Sequence, residues 1–340
     1  MTRQVLILDG GLGTSLMLDR GISLDETTPL WSSHLLLSDP NTLLDVQRGF
    51  GEIPVDILLT ATYQVSIAGF ARTSTQEFPN GIGTERIPHF LDQAVKITEA
   101  AKHDHAKAAL SIGPYGACMQ PGQEYSGNYD VEHGCMQALQ AWHHERLQLY
   151  ASIPRAHQRL GYLAFETIPR LDEIVAMRKA LYNTPDLASI PFWMCCVFPD
   201  EDLKLPCGGS VYAAVEAMLD PKHSTAVPWG IGINCTKVWK VDALLRQYES
   251  AVDDLVKSRR ISAWPTLVLY PDGTDGRTWD AVTKAWIPPR KAQSPKLWEQ
   301  HVAELVRATE KRGNWRHIVV GGCCMAHADE IRKLRQILAA

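Results

Sequence analysis

The sequence predicts a (β/α)8 barrel folded as a single domain over residues 1–340, with extended loops at the carboxyl ends of its strands. Three observations lead there. Eight short apolar runs recur along the chain, most ending near Gly, Pro, Asn or Thr and usually followed by a helix-like segment. Each run is nearly continuous in apolar residues, as strands of a parallel sheet buried on both faces must be. No internal repeat, low-complexity tract or composition break marks a second domain, and barrels of this length are commonly one unit.

The runs occupy 5–8, 55–60, 108–112, 162–165, 192–198, 230–233, 266–270 and 317–320. Between them, Ser294-Pro295 offers an N-cap and a first-turn proline for a helix carrying Leu297, Val302 and Leu305, which Gly313 is placed to end. Ile331, Leu334 and Leu338 repeat at helical spacing and predict the last helix over 329–338. The stretches 21–30, 73–87, 120–130 and 274–291 read as extended loops.

Apolar residues make up 45% of the chain and charged residues 21%, ordinary values for a globular protein with a large core. The formal net charge is -4 and no dense basic run occurs, so neither nucleic acid nor a membrane surface is an expected partner. The apolar start at 5–8 is too short for a secretory leader and reads as the first strand. No apolar stretch is long enough to span a bilayer, and a cytoplasmic location is expected. In that reducing setting the eight cysteines should be thiols. Oligomeric state is not legible.

The chemistry is concentrated in Gly321-Gly322-Cys323-Cys324, directly after the eighth run. Adjacent cysteines do not readily bridge each other, because the ring that would close is strained. Both can donate to one metal ion if the backbone turns sharply, and glycine tolerates positive φ and close backbone approach. A third thiolate is available at Cys235, after the sixth run. Three thiolates and an open position describe a catalytic zinc site. In a barrel these positions share one mouth with Asp9, Thr62, Tyr63 and Glu166, which follow the first, second and fourth runs. Cys195 and Cys196 lie inside a run and read as core fillers. Cys118 and Cys135 lack partners at metal spacing, and Cys207 is a weak candidate ligand.

Histidines compete for the metal. His327 is three residues past Cys324, but reads as the solvent-facing start of the last helix. His317 opens the eighth run, at the wrong end of that strand. His143-His144-Glu145 lacks an HExxH pattern, since Gln148 stands four residues after His144, and reads as helix surface. The turn Asp9-Gly10-Gly11-Leu12-Gly13-Thr14 follows a strand, yet position 16 is Leu and no GK[ST] follows, so a dinucleotide loop is a weak reading. A nest of backbone N–H groups for a small carboxylate fits it better.

With these residues in view, the chain resembles the homocysteine S-methyltransferases, which share a domain with betaine–homocysteine methyltransferase and cobalamin-dependent methionine synthase. The resemblance rests on seven segments in the family's order: 9–14, 60–64, Ser111-Ile112-Gly113-Pro114-Tyr115-Gly116-Ala117, Glu124-Tyr125-Ser126-Gly127, Phe165-Glu166-Thr167-Ile168-Pro169, Gly232-Ile233-Asn234-Cys235, and Gly321-Gly322-Cys323-Cys324. It implies a (β/α)8 barrel with Zn2+ held by Cys235, Cys323 and Cys324 and no catalytic residue beyond that site. It further implies that the Asp9-Gly10-Gly11 backbone takes the homocysteine carboxylate and Glu166 its ammonium, with Thr62, Tyr63 and Asn234 also at the substrate site. The sequence departs from the family at Gln47, where a histidine is usual, at Ile53-Pro54-Val55-Asp56 and at Asp272.

The implied reaction is methyl transfer from a sulfonium donor, S-methylmethionine or S-adenosylmethionine, to the homocysteine thiolate, giving methionine. Tyr63 or Tyr125 would hold the donor cation against an aromatic face. Three alternatives stand beside it: a betaine or other-donor thiol or selenol methyltransferase, a non-catalytic zinc- or thiol-binding homologue, and a redox switch through Cys323-Cys324.

Overall fold

Every apolar run forms a strand of one barrel. The protein's computed structural model describes residues 4–25, 27–280, 283, 285–289 and 296–339. The strands are β1 (Val5–Ile7), β2 (Ile57–Leu59), β3 (Lys107–Ile112), β4 (Leu160–Ile168), β5 (Phe192–Cys196), β6 (Gly230–Lys237), β7 (Thr266–Asp272), β8 (Thr278–Asp280), β9 (Ala285–Ile287) and β10 (Ile318–Val320). The eight-stranded sheet runs β1-β10-β7-β6-β5-β4-β3-β2. Its pairs are parallel throughout. Its two ends meet through a Leu8–Ile57 bridge, with Asp56 N–H donating to Ile7 O at 2.8 Å and Asp9 N–H to Ile57 O at 3.2 Å. Asp56 also accepts the Ile7 N–H on its side chain at 2.7 Å. The result is a (β/α)8 barrel.

Two layers of side chains hold it. Leu8, Ala109, Ala164, Trp193, Cys195, Val268 and Tyr270 fill the barrel interior. Trp193 Nε1 donates to the Tyr270 hydroxyl at 3.2 Å, which satisfies the interior's two polar aromatics. A larger core, including Leu110, Phe165, Ile233, Val252 and Leu334, lies between the strands and the helices outside them. Among those helices are Leu12–Arg20, Pro40–Gly51, Ile87–Ala101, Met136–Ala151, Leu171–Tyr182, Val241–Lys257, Trp298–Arg312 and Ala328–Ala339. Cys195 and Cys196 are fully buried on β5, as expected of core fillers. Among the described residues, no helix is long and apolar enough to cross a membrane.

The structure departs from the sequence reading at several elements. The stretch 274–291 carries the antiparallel β8–β9 hairpin, whose Trp279 and Trp286 pack at 5.4 Å between ring centroids. Trp279 also meets Trp31 edge-on at 5.5 Å, so aromatic contacts order what its polar composition marked as loop. Ser294 and Pro295 lie outside the described residues. The helix they were to start begins at Trp298, with Leu297 at its N-cap and Gly313 ending it at φ 80°. His143 is not on a helix surface: it is 1% exposed, and its Nε2 meets Glu173 Oε1 at 2.9 Å. Glu173 also accepts the Tyr115 N–H at 2.6 Å and the Tyr129 hydroxyl at 2.5 Å, so one buried carboxylate ties three segments together.

Gly232 shows how tightly the strands are set. A Cβ there would lie 1.7 Å from Val268 O on the neighbouring strand β7. Gly232→Ala is therefore expected to cost about 3 kcal/mol or more, or to prevent folding, since a backbone oxygen cannot swing aside. Gly49, helical and facing open space apart from Ala328 Cβ at 3.9 Å, is the control. Gly49→Ala should stabilise by about 0.4–1 kcal/mol in the same urea-unfolding experiment.

Candidate metal and substrate site

Two strand ends place the sulfurs. At the end of β6 the pairing register shifts between Asn234 and Lys237, and Cys235 adopts φ 46°. A bulge of this kind re-aims a side chain, and a non-glycine residue at positive φ is held there by its surroundings. Thr236 supplies part of that hold: its hydroxyl accepts the Phe198 N–H and donates to Asn234 O, both at 3.0 Å. After β10 the backbone is pinned on both sides. Gly321 N–H donates to Leu269 O (2.9 Å), Gly322 N–H to Asp9 O (2.9 Å) and Cys323 N–H to Pro271 O (3.0 Å), while Cys324 O accepts from Gly273 N–H (2.7 Å).

Gly321 and Gly322 serve close approach and not positive φ, which is found instead at Met325 (φ 58°). A Cβ at Gly321 would stand 2.6 Å from Asp9 O, and one at Gly322 2.2 Å from the Ala326 Cβ. The same seam explains the first turn. Cβ atoms at Gly10 and Gly11 would meet Ala326 O at 2.1 Å and Cys323 O at 2.4 Å. Gly11 N–H is already given to Ala326 O at 2.9 Å. The Gly10-Gly11 turn is thus packed against the cysteine loop, and at Gly11 the nest of free N–H groups expected from the sequence is replaced by that contact.

The metal-binding atoms of Cys235, Cys323 and Cys324 lie within 4.8 Å of one another, and all three residues are half-buried. Among the described residues no histidine or carboxylate joins them. His327 opens the last helix instead, its Nδ1 2.9 Å from Asp19 Oδ2, which turns it away from the sulfurs. Cys235 and Cys323 are joined as a disulfide with Cα atoms 5.4 Å apart, and Cys324 is free. The expectation that all eight cysteines are thiols is therefore corrected at this pair. The reason is geometric, since β6 and β10 deliver both side chains to one point. A switch through Cys323-Cys324 is corrected likewise, because the bonded partners are Cys235 and Cys323. As thiolates the three sulfurs suit one zinc, around which Zn–S bonds of about 2.3 Å set sulfurs about 3.8 Å apart. Burial pushes the Cys324 thiol up to about 12, and the nearby Asp272 charge adds to this. A bound dication would oppose both effects.

Beside the sulfurs stand two buried acids. Glu166, 5% exposed, accepts the Ser111 hydroxyl at 2.5 Å, and burial lifts its carboxyl to about 7. Asp9 Oδ2 accepts the Leu59 N–H at 2.9 Å, while its Oδ1 has no partner among the described residues. Burial raises the Asp9 pKa well above the ordinary range, and the Glu166 charge raises it further. Tyr63 adjoins the same space, bonded to Thr167 and close to Glu166 and Cys324.

Two other residues expected at the substrate, Thr62 and Asn234, are engaged in hydrogen bonds within the protein. Thr62 is fully buried, its hydroxyl 2.6 Å from Thr60 Oγ1 and donating to Ser111 O at 2.8 Å. Asn234, 1% exposed, accepts the Thr167 N–H at 2.7 Å and donates to Thr167 Oγ1 at 2.8 Å, bracing β6 against β4. The departures at Gln47 and Asp272 are accommodated internally. Gln47 Nε2 donates to Leu59 O at 2.7 Å, and Asp272 pairs with Lys237 at 3.0 Å. The sequence reading missed Ser111, which orients Glu166. It also missed Arg146, whose guanidinium donates at 2.6 Å to the carbonyls of Val65, Gly113 and Tyr63 and so fixes the loops after β2 and β3.

A family model described as homocysteine S-methyltransferase matches residues 6–338, nearly the whole chain. The chain belongs to the homocysteine S-methyltransferase family. Its relatives include homocysteine S-methyltransferase 1 of Zea mays, 26% identical, with 98% of this chain and 94% of that one covered. The Drosophila melanogaster betaine-homocysteine S-methyltransferase is 27% identical over the same shares. Among solved structures, the Escherichia coli homocysteine methyltransferase MmuM in its metallated form superposes with a TM-score of 0.70 at 22% identity, covering 98% of this chain and 96% of that one. That similarity shows the fold. Membership in the family identifies the chain as a methyltransferase.

The two acids carry a stability signature. Because the folded-state pKa of Glu166 lies above its unfolded value, ionisation destabilises the fold as pH rises from about 4.5 through about 7. Glu166→Gln should therefore be more stable than the wild type at pH 8, by up to about 3 kcal/mol, with the difference vanishing near pH 4. Thermal unfolding of both proteins across this range checks the sign.

Proposed function

We propose that this protein transfers a methyl group from a sulfonium donor, S-methylmethionine or S-adenosylmethionine, to L-homocysteine, giving methionine, with zinc as its metal. The observation that carries the reading is the convergence of three cysteine sulfurs and two raised-pKa acids at the carboxyl ends of the strands. Cys235, Cys323 and Cys324 would hold the metal. Bound there, zinc supplies Lewis acidity that keeps a coordinated thiol deprotonated at neutral pH.

Asp9 and Glu166 would receive the substrate's ammonium group. An incoming cation relieves the burial penalty on both carboxylates, which is why an acid pair this costly alone suits an amino-acid substrate. Ser111 and Tyr270, both bonded to Glu166, fix the direction of that contact. Tyr63 and Tyr125 would flank the donor. The homocysteine thiolate attacks the onium methyl carbon; a new S–C bond forms as the donor's S–C bond breaks. The electron pair returns to the donor sulfur, which leaves as a neutral thioether, so the step needs no protein base.

Ligation requires Cys235, Cys323 and Cys324 as thiolates. Reduced wild-type protein should bind about one zinc per chain. Cys324→Ala should lose the metal and at least about a thousandfold in kcat/KM for methionine formation, a drop of about 4 kcal/mol in transition-state stabilisation. Wild-type turnover in that variant would overturn the reading. Glu166→Gln should raise the homocysteine KM about tenfold or more, the loss of a charge-assisted contact. In the wild type, that KM should fall as pH rises through about 7, as Glu166 ionises. Steady-state assays with S-methylmethionine, S-adenosylmethionine, betaine and methylfolate as donors identify the preferred one; the betaine relative makes betaine the strongest competitor.

A further inference from the structure

Two threonine side chains continue the barrel sheet where β2 stops. The pairing of β2 with β3 ends at Leu59 and Ala109. Thr60 N–H still reaches Ala109 O at 2.9 Å, and then the chain turns, with Thr62 N–H donating to Thr60 O at 2.9 Å. Ser111, two residues further along β3, therefore meets side chains in place of a strand. Thr60 Oγ1 accepts the Ser111 N–H at 3.1 Å, and Thr62 Oγ1 donates to Ser111 O at 2.8 Å. The two threonine hydroxyls are 2.6 Å apart. Thr62 has given its only proton to Ser111 O, so Thr60 must be the donor between them. The turn is held from outside as well, by the Tyr150 hydroxyl donating to Thr62 O at 3.0 Å. Both backbone groups of Ser111 are thus clamped by one directed chain of hydrogen bonds.

The clamp sets a direction inside the barrel. Side chains alternate along a strand, so Ser111 and Glu166 share a face with Ala109 and Ala164, which fill the interior two residues earlier on β3 and β4. Those strands pair at Ser111 and Ala164, and across that pair the Ser111 hydroxyl donates to Glu166 Oε1 at 2.5 Å. On the other side of β4, Asn234 accepts the N–H of Thr167, the residue after Glu166, at 2.7 Å. The Glu166 carboxylate is then aimed by Ser111, on a backbone held from β6. Thr60, Thr62, Ser111 and Glu166 are only 2%, 0%, 4% and 5% exposed. Thr62, with no exposed surface and its one proton committed, has nothing to offer a ligand directly.

We propose that Thr60 and Thr62 are positioning residues for the substrate's amino group, acting through Ser111 on Glu166. The proposal rests on the reading that Glu166 receives the homocysteine ammonium, and adds the device that aims it. A free glutamate side chain loses rotamer freedom when it binds a ligand. One already held by a hydroxyl has lost that freedom beforehand, so more of the contact energy appears as affinity. The ammonium then meets an oriented acceptor in a charge-assisted bond. Selectivity follows, because a thiol with a carboxylate and no ammonium gains nothing from the clamp. The device needs the threonine hydroxyls and not the threonine volume. Valine has the same shape but neither donates nor accepts, and it would leave the Ser111 carbonyl without its partner.

The test is calorimetry on zinc-loaded protein without a methyl donor, comparing L-homocysteine with 4-sulfanylbutanoate, the same thiol lacking the amino group. Wild type should bind homocysteine at least about tenfold tighter than the des-amino thiol. Thr62→Val should narrow that ratio at least about threefold, and Thr62→Ser, which keeps the hydroxyl, should hold it within about twofold of wild type. A packing role alone predicts the opposite order, with valine the better replacement. Ser111→Ala removes one oxygen beside the small Ala109 and Ala164 and should narrow the ratio about tenfold, so it carries the test should Thr62→Val fail to fold. Affinity for 4-sulfanylbutanoate should stay within about threefold throughout, since its metal and carboxylate contacts are untouched. Equal losses for both ligands, or undiminished discrimination in Ser111→Ala, overturn the proposal. The two readings separate. Equal binding of both thiols by the wild type defeats the Glu166 contact and this proposal with it. Wild-type discrimination that survives in Ser111→Ala and Thr62→Val defeats this proposal alone.

Discussion

The seam between the first and last barrel strands is the constraint on which the site depends. Along it, Gly322 N–H bonds Asp9 O, Gly11 N–H bonds Ala326 O and Met325 N–H bonds the Thr14 hydroxyl, all within 2.9 Å. The backbones lie so close that four glycines are needed where they touch. This contact joins Asp9, after the first strand, to the adjacent Cys323 and Cys324, after the last. A bulge at the end of β6 then carries Cys235 to the same place. Neither half of the site has a fixed position without the closed sheet.

Charge is the second organising fact. The mouth gathers Asp9, Glu166 and Asp272, of which Asp272 is neutralised by Lys237. Buried carboxylates without partners are expensive, and a fold that retains them is prepared for ligands that bring positive charge. In the proposed reaction, an amino acid's ammonium and a metal cation would answer that arrangement. Tyr270 links it to the barrel interior, since its hydroxyl meets both Trp193 and Glu166.

The eight strands were legible because parallel barrel strands must be apolar on both faces, and nothing else in the chain repeats that pattern. The cysteines were legible because their positions after the sixth and eighth runs put them at one end of the barrel. What the sequence hid was the use of each polar group. Thr62 and Asn234 stand at strand ends, as ligand-binding residues do, yet their side chains also bond backbone groups of β3 and β4. Arg146 and His143 sit on a helix whose polar pattern suggested a solvent face, but their partners are 30 or more residues away in sequence. Long-range partnerships leave no local periodicity to read. The hairpin between β7 and β10 was hidden for a related reason: its order comes from tryptophan contacts across separate loops.

The placement of β1 at Val5–Ile7 and β10 at Ile318–Val320 bears on how the protein matures. During synthesis, a chain that has emerged only as far as β7 offers Cys235 alone, with the opposite wall of its site still unmade. The three-cysteine cluster can then assemble only among the last events of folding, once β10 has emerged. Until that moment β1 and β7 each expose an unpaired edge where β10 will insert, and the nascent barrel depends on being shielded from neighbouring chains there.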